Sequence, residues 1–297
     1  MLFAKKTSAE KRVALRAALA SGKLQRFPGV FSPLVAMLIE DLGFDGVYIS
    51  GAVLANELGL PDIGLTTLTE IATRGRQIAR VTELPSIIDV DTGFGEPMNA
   101  ARTVQELEEL GLCGCHLEDQ VNPKRCGHLD NKIVVERSEM VRKIRAAADA
   151  RRDKNFLIIA RTDAREPEGL QSAIDRAKAY VDAGADMIFP EALADESEFE
   201  KMRAAVKAPL LANMTEFGKT KLLDVKTIER LGFNLVIYPV TALRLAMKAI
   251  EDGYAEMKRA GTQSGVVDRM QTRKRLYELL RYEDYAAFDK DVFNFKV

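Results

Sequence analysis

The feature that most constrains the fold of this 297-residue chain is an eightfold alternation of short apolar runs with longer helix-like stretches. "FPGVF" (27–31), "GVYISG" (46–51), "PSIIDVDTG" (85–93) and "GCHLEDQ" (114–120) come first. "FLIIARTDA" (156–164), "MIFPEA" (187–192), "PLLANMTE" (209–216) and "NLVIYPV" (234–240) follow. After each comes a stretch such as "LTTLTEIATRGRQIARVT" or "ERSEMVRKIRAAADARR", with apolar residues at helical spacing. Several runs are apolar at consecutive positions, as parallel strands covered on both faces are. Glycines in "DLG", "ELG", "AGA" and "RLG" stand where left-handed helix caps belong. Eight strand–helix units favour an α/β fold of the (β/α)8 barrel type, which closes without leaving edges. Residues 1–297 read as one such domain, with about 262–297 as a helical extension.

Composition narrows the partners. A formal net charge of −1 gives no reason to expect nucleic acid or a membrane surface. No run of about 18 apolar residues occurs, so no spanning helix is expected. The basic start "MLFAKKTSAEKRVALRAALA" contains Glu10 and continues an amphipathic pattern, so it reads as structure and not as a transit peptide. Cys113, Cys115 and Cys126 cannot build a disulfide framework, which suits a reducing compartment, with the cytoplasm as default.

In a barrel of this type, chemistry gathers at the C-terminal strand ends. Those ends carry Ser50 and Gly51, Asp89 and Asp91, Glu118 and Asp119, Arg161 and Asp163, Glu191, Asn213 and Thr215, and Arg244. Asp89 and Asp91 lie two apart on a strand, so both would point to one face. Two such carboxylates repel unless a cation lies between them, and oxygen ligands suit Mg2+ or Mn2+. The alternative makes Asp91 a turn residue and pairs Asp89 with an arginine. Arg161, Arg244 and Arg273 are forks suited to carboxylates. Arg161 follows "LIIA", so its guanidinium needs an anion.

The stretch "NPKRCGHLDNK" surrounds Cys126 with Lys124, Arg125 and His128. Basic neighbours lower a thiol pKa, and a poised thiol can give or take a proton. A nucleophile served by His128, or a solvated basic loop, would fit the same residues. Zinc held by Cys113, Cys115, His116, Cys126 and His128 is disfavoured: the first two share one strand face, His116 points the other way, and no C-x-x-C spacing exists.

Taken together, "YISG", "LGLPDIG", "DVDTGFG", "HLEDQ", "KRCGH", "ARTDA", "FPEA", "NMTEFG", "YPV" and "MQTR" occur in the order found in the isocitrate lyase and phosphoenolpyruvate mutase superfamily. From about residue 25 to 290 the chain most resembles that superfamily's 2-methylisocitrate lyase family, of the methylcitrate cycle for propionate breakdown. The resemblance implies a Mg2+-dependent carbon–carbon lyase with a small tricarboxylate substrate. It also implies a homotetramer, a dimer of dimers, in which the last helix is exchanged between subunits.

Carried over by position, Asp89 and Asp91 would hold the metal, largely through water. Ser50, Gly51, Gly127, Arg161, Glu191, Asn213, Met214, Thr215, Arg244 and Arg273 would bind substrate, and Phe189 and Ile237 would line a pocket for its methyl group. Cys126 would be the proton donor, assisted by Lys124, Glu118 and His128, with Tyr48 or a carboxylate near the metal removing the hydroxyl proton. Ala52 departs from the family's usual "SGG" and adds a methyl beside the keto acid. The alternatives are an isocitrate lyase or another superfamily lyase acting on a small dicarboxylate or phosphonate, and a non-catalytic dicarboxylate-binding barrel.

Overall fold

A computed structural model describes residues 4–127 and 131–294. Eight parallel strands follow one another: β1 (Gln25–Pro28), β2 (Val47–Ile49), β3 (Ser86–Asp89), β4 (Gly114–Glu118), β5 (Leu157–Thr162), β6 (Met187–Pro190), β7 (Leu211–Asn213) and β8 (Leu235–Tyr238). β2 to β6 pair in chain order, and β8 pairs with β7 on one side and β1 on the other. Two bridges, Gly29 with Tyr48 and Ile188 with Leu210, join these groups into a closed barrel. Four glycines end helices with positive φ as expected: Gly43, Gly111, Gly184 and Gly232.

Three local expectations are corrected. β1 begins at Gln25, two residues before the apolar run, because Arg26 is held outside by Asp45 at 2.9 Å. After β2 the chain forms a short helix, Gly51–Glu57, before the longer Leu68–Ala79; Ser50 caps the first, its Oγ accepting from the Val53 N–H. Cys113 and Cys115 do not share a face. Cys113 precedes β4 and joins the inner core, whereas Cys115 packs among the outer residues beneath the helices.

The barrel interior is a separate apolar cluster containing Phe27, Tyr48, Ile87, Ile159, Phe189 and Ile237. Leu15 and Leu19 of the helix Ser8–Ala20 belong to the same cluster, so this helix plugs one end of the barrel. Alternate strands β2, β4, β6 and β8 supply Tyr48, His116, Phe189 and Ile237 as one layer. The first three rings touch in sequence, with centroids 5.7 Å apart for Tyr48–His116 and 5.3 Å for His116–Phe189. That layer is the floor of the barrel mouth.

The helix after β8, Thr241–Ala260, has no buried residue, and Leu245 and Tyr254 are each 68% exposed. The chain ends in Arg273–Leu279 and Tyr282–Phe293. The first of these is tied to Pro33–Asp41 by Arg275 on Asp41. Among the described residues no helix is long and apolar enough to cross a membrane.

Candidate active site

β3 ends at Asp89, and the turn beyond it gives Asp91 a left-handed φ of 48°. The two carboxylates therefore do not share a strand face, as alternation had implied. They converge because the turn folds back: Asp89 Oδ1 accepts the Asp91 N–H at 3.0 Å. Gly51 marks their meeting place. Its N–H donates to Asp89 Oδ2 at 3.1 Å, and a Cβ there would lie 3.0 Å from that oxygen and 3.3 Å from Asp91 Oδ1. Asp91 is thus both a turn residue and a site carboxylate.

Burial pushes the Asp89 carboxyl up, but His116, Lys124 and Arg161 outweigh it and leave it below the usual range. Asp91 is held above that range, mainly by burial, with Asp89 adding to it and Lys124 opposing it. Lys124 reaches this pair from the loop after β4, its Nζ 2.9 Å from Asp91 Oδ1 and also bonded to Asp62. Burial works against the Lys124 charge, yet Glu118, Asp91, Asp62 and Asp89 hold its pKa well above the ordinary value. Its ammonium is committed to carboxylates.

Arg161 is the hub on the opposite side. Its Nε and Nη2 donate to Asp163 at 2.9 and 3.0 Å. Glu118 lies 3.2 Å and Glu191 3.3 Å from the same guanidinium, which stacks 5.1 Å over the Phe189 ring. Asn213 Nδ2 donates to Glu191 Oε2 at 3.2 Å. Both Glu118 oxygens are buried without a hydrogen-bond donor, and burial raises this carboxyl well above its ordinary value against Arg161 and Lys124.

Gly127 presses onto this hub: a Cβ would fall 2.3 Å from Arg161 Nη2 and 2.6 Å from Glu191 Cγ. The neighbouring Cys126 is half-buried, whereas Cys113 and Cys115 are fully buried. Gln120 holds the Arg125 backbone at both ends, at 2.8 and 2.9 Å. His128 lies outside the described residues.

Other expected residues fare differently. Tyr48 is 2% exposed, and its hydroxyl shares a 2.8 Å hydrogen bond with His116 Nε2. Burial and Asp89 push its phenol well above 10, which disfavours it as a base. Met214 faces the outer core, where its sulfur accepts the Leu223 N–H at 3.3 Å. Its side chain is therefore not at the mouth. Phe189 and Ile237 lie in the floor. Thr215 is buried and Ala52 half-buried in the first turn after Ser50. Arg244 is held by Glu216 at 2.8 Å and covered by Phe217 at 5.2 Å. Arg273 is exposed at the start of its helix, and among the described residues no ion pair joins it to the mouth.

Asp62, Lys132 and Glu216 did not stand out in the sequence, because each is a charged residue on a loop. Their partners lie 62, 31 and 28 residues away. His116 is no zinc ligand candidate either: it is fully buried between Tyr48 and Phe189, and burial lowers its pKa to about 4. It therefore stays neutral at ordinary pH.

A cavity of about 530 Å3 opens beside Asp91, Thr92 and Asn122. The mouth thus gathers the Asp89–Asp91 carboxylates with Lys124 on one side and Arg161 with Glu118, Asp163 and Glu191 on the other, with Gly127 packed on the latter.

Known proteins resemble the chain along this whole framework. The phosphoenolpyruvate phosphomutase family matches residues 15–258. A probable 2-methylisocitrate lyase 2 of Corynebacterium glutamicum is 64% identical over 286 residues, spanning 96% of this chain and 93% of that protein. The crystal structure of 2,3-dimethylmalate lyase superposes with a TM-score of 0.90 at 32% identity, covering 98% of this chain and 99% of that one. A phosphonopyruvate hydrolase complex with oxalate and Mg2+ gives 0.86 at 32% identity, covering 96% and 99%. With this agreement over nearly all its length, the chain belongs to the isocitrate lyase and phosphoenolpyruvate mutase superfamily, in the 2-methylisocitrate lyase family.

Proposed function

We propose that this protein is a divalent-metal-dependent carbon–carbon lyase that cleaves 2-methylisocitrate to pyruvate and succinate, in the methylcitrate cycle of propionate breakdown. The observation that carries the reading is the seating of Gly127 on Arg161 and Glu191. It supports placing the neighbouring Cys126 near the mouth of a barrel whose sequence is 64% identical to a probable 2-methylisocitrate lyase.

Asp89 and Asp91 would hold Mg2+, with Mn2+ as a substitute. Asp91 Oδ1 and both Glu118 oxygens are buried acceptors without a well-aligned hydrogen bond, although Lys124 and Arg161 stand close by, and such hard oxygens suit an ion of this kind. Among the described residues no cluster of three or more His, Cys, Asp or Glu surrounds one point, so water would complete the coordination. Bound there, Mg2+ supplies Lewis-acid polarisation of the substrate hydroxyl and its neighbouring carboxylate.

The chain's own groups then divide the work. Glu118, 3.2 Å from Arg161, whose charge favours the ionised carboxylate against burial, would take the hydroxyl proton. Ser50, Asn213, Thr215 and Arg244 would orient the carboxylates. Arg161, held in place by Asp163, would stabilise the dianionic aci form of succinate as the carbon–carbon bond breaks. Cys126 Sγ–H gives that carbon its proton and is left as a thiolate, with no covalent intermediate. The apolar floor of Phe189 and Ile237 keeps water from the carbanion and accepts the methyl group, which is worth roughly 1–3 kcal/mol or 10–200-fold in selectivity.

The assembly proposed is a cytoplasmic homotetramer of single-domain subunits with helix exchange, supported by the helix Thr241–Ala260, none of whose residues is fully buried. Pyruvate release from 2-methylisocitrate with Mg2+ tests the function. Turnover at least about tenfold better than isocitrate cleavage is expected. Equal or better formation of glyoxylate from isocitrate would make this a short isocitrate lyase, with Ala52 the first residue to suspect.

A further inference from the structure

Lys132 lies in the polar run "DNK", where a lysine would ordinarily be solvated, yet its side chain is fully enclosed. A buried ammonium must find partners. Its Nζ donates to the Gly127 carbonyl and stands 3.4 Å from Asp163 Oδ1. Asp163 is equally enclosed and cannot drift. Two Arg161 N–H groups bind its carboxylate, and its own N–H donates to Asp119 Oδ1 at 2.8 Å. Asp119 is anchored in turn by Thr162 and the Tyr180 hydroxyl, at 2.8 and 2.7 Å.

These contacts form a closed circuit. Gly127 packs on Arg161, Arg161 binds Asp163, Asp163 faces Lys132, and Lys132 holds the Gly127 carbonyl. Two corners sit at the rigid end of β5 and two on the segment that carries Cys126. Gln120 fixes that segment upstream through the Arg125 backbone, and Lys132 supplies the matching tether downstream.

We propose that Lys132 is a positioning residue that pins Cys126–Gly127 against Arg161, and so sets where the thiol meets the substrate. The catalytic consequence rests on the proton-donor reading of Cys126; the pinning itself does not. Lys132 needs no contact with substrate for this role. It differs from a merely structural buried ion pair in one respect: removing it must change the environment of Cys126.

The test uses the full-length protein with Lys132→Met, which keeps the length and apolar stem but removes the donor. Lys132→Gln, which retains an N–H donor, is the second variant and decides the question if the first does not fold. Iodoacetamide alkylation in EDTA reports on Cys126 independently of turnover, because the other two cysteines are buried. The expected result for a folded Lys132→Met is at least tenfold faster alkylation and at least tenfold lower kcat, with KM changed less than threefold. Lys132→Gln should lie between that variant and wild type on both measures.

Alkylation within twofold of wild type would overturn the proposal, whatever happens to kcat, because an unmoved thiol environment means that nothing was being pinned. Failure of the parent reading looks different. Cys126→Ser would then remain active while Lys132→Met still exposed the thiol, which would leave the pinning intact.

Discussion

Replacing Gly127 with alanine isolates the contact on which the functional reading depends. No left-handed backbone is involved at this position, so the effect is one of space. The added Cβ would lie 2.3 Å from Arg161 Nη2, 2.6 Å from Glu191 Cγ and 2.8 Å from Glu191 Cδ. Ordinary contact begins near 3.4 Å, so something must move by about 1 Å. The guanidinium cannot yield cheaply, being held twice by Asp163, flanked by Glu118 and Glu191, and seated over Phe189. The segment carrying Cys126 must lift instead. A misplacement of about 1 Å costs on the order of 100-fold in rate, which is about 2.7 kcal/mol of barrel-mouth complementarity to the transition state. Overpacking costs about 1–3 kcal/mol of stability, which a folded domain of this size survives. Initial rates of pyruvate formation, with circular dichroism to verify folding, read the outcome. A Gly127→Ala protein turning over within threefold of wild type would show that the reacting enzyme does not use this contact.

Cys126→Ser should fold normally and lose lyase activity by several powers of ten, since a hydroxyl is too weak an acid to replace the thiol; near-normal turnover would end the proton-donor role. EDTA should abolish activity reversibly, and Asp89→Asn should weaken Mn2+ binding at least tenfold by electron paramagnetic titration; unchanged affinity would remove Asp89 from the ion's shell. For His116, burial depresses the folded-state pKa from 6.5 to about 4, so the unfolded chain binds the extra proton between those values. Stability in EDTA should therefore rise with pH from 4 to 6.5, by roughly 3 kcal/mol from this group, and His116→Asn should lose that part of the slope in urea melts. An identical slope in both proteins would assign the acid sensitivity elsewhere. Truncation from about residue 274 should yield monomers or aggregate in sedimentation, and a tetrameric, active truncated protein would refute the exchanged-helix assembly.

The barrel was legible in the sequence for a physical reason. Strands covered on both faces must be apolar at nearly every position, so "SIID", "LIIART" and "MIFP" announce themselves. A polar residue that interrupts such a run must point at something. That logic found Asp89, Glu118, Arg161 and Glu191, all of which the structure gathers at one mouth. It could not tell the inner face from the outer one, however. Met214 and Thr215 are adjacent in sequence, and only the packing reveals that Met214 turns to the helices. It offered Asp91 as a turn residue, a type that tolerates left-handed φ, only as the alternative to a site carboxylate, and the structure shows that it is both.

What stayed hidden is mostly charge, because charge pairing is spatial. The whole chain carries a formal −1, which suggests no appetite for ions. At the mouth, however, among the described residues, Asp62, Asp91, Glu118, Asp163 and Glu191 form ion pairs with Lys124, Lys132 and Arg161, and Asp89 lies beside a neutral His116. Carboxyls buried together in this way can be relieved by protonation or by a bound cation. Burial pushes the Asp91 and Glu118 carboxyls toward the first, while Lys124 and, for Glu118, Arg161 oppose it. A substrate with three carboxylates would deepen the imbalance if it entered alone. A multivalent cation bound with the polyanion would offset both, and that pressure, invisible in composition, follows from where the fold buries its acids.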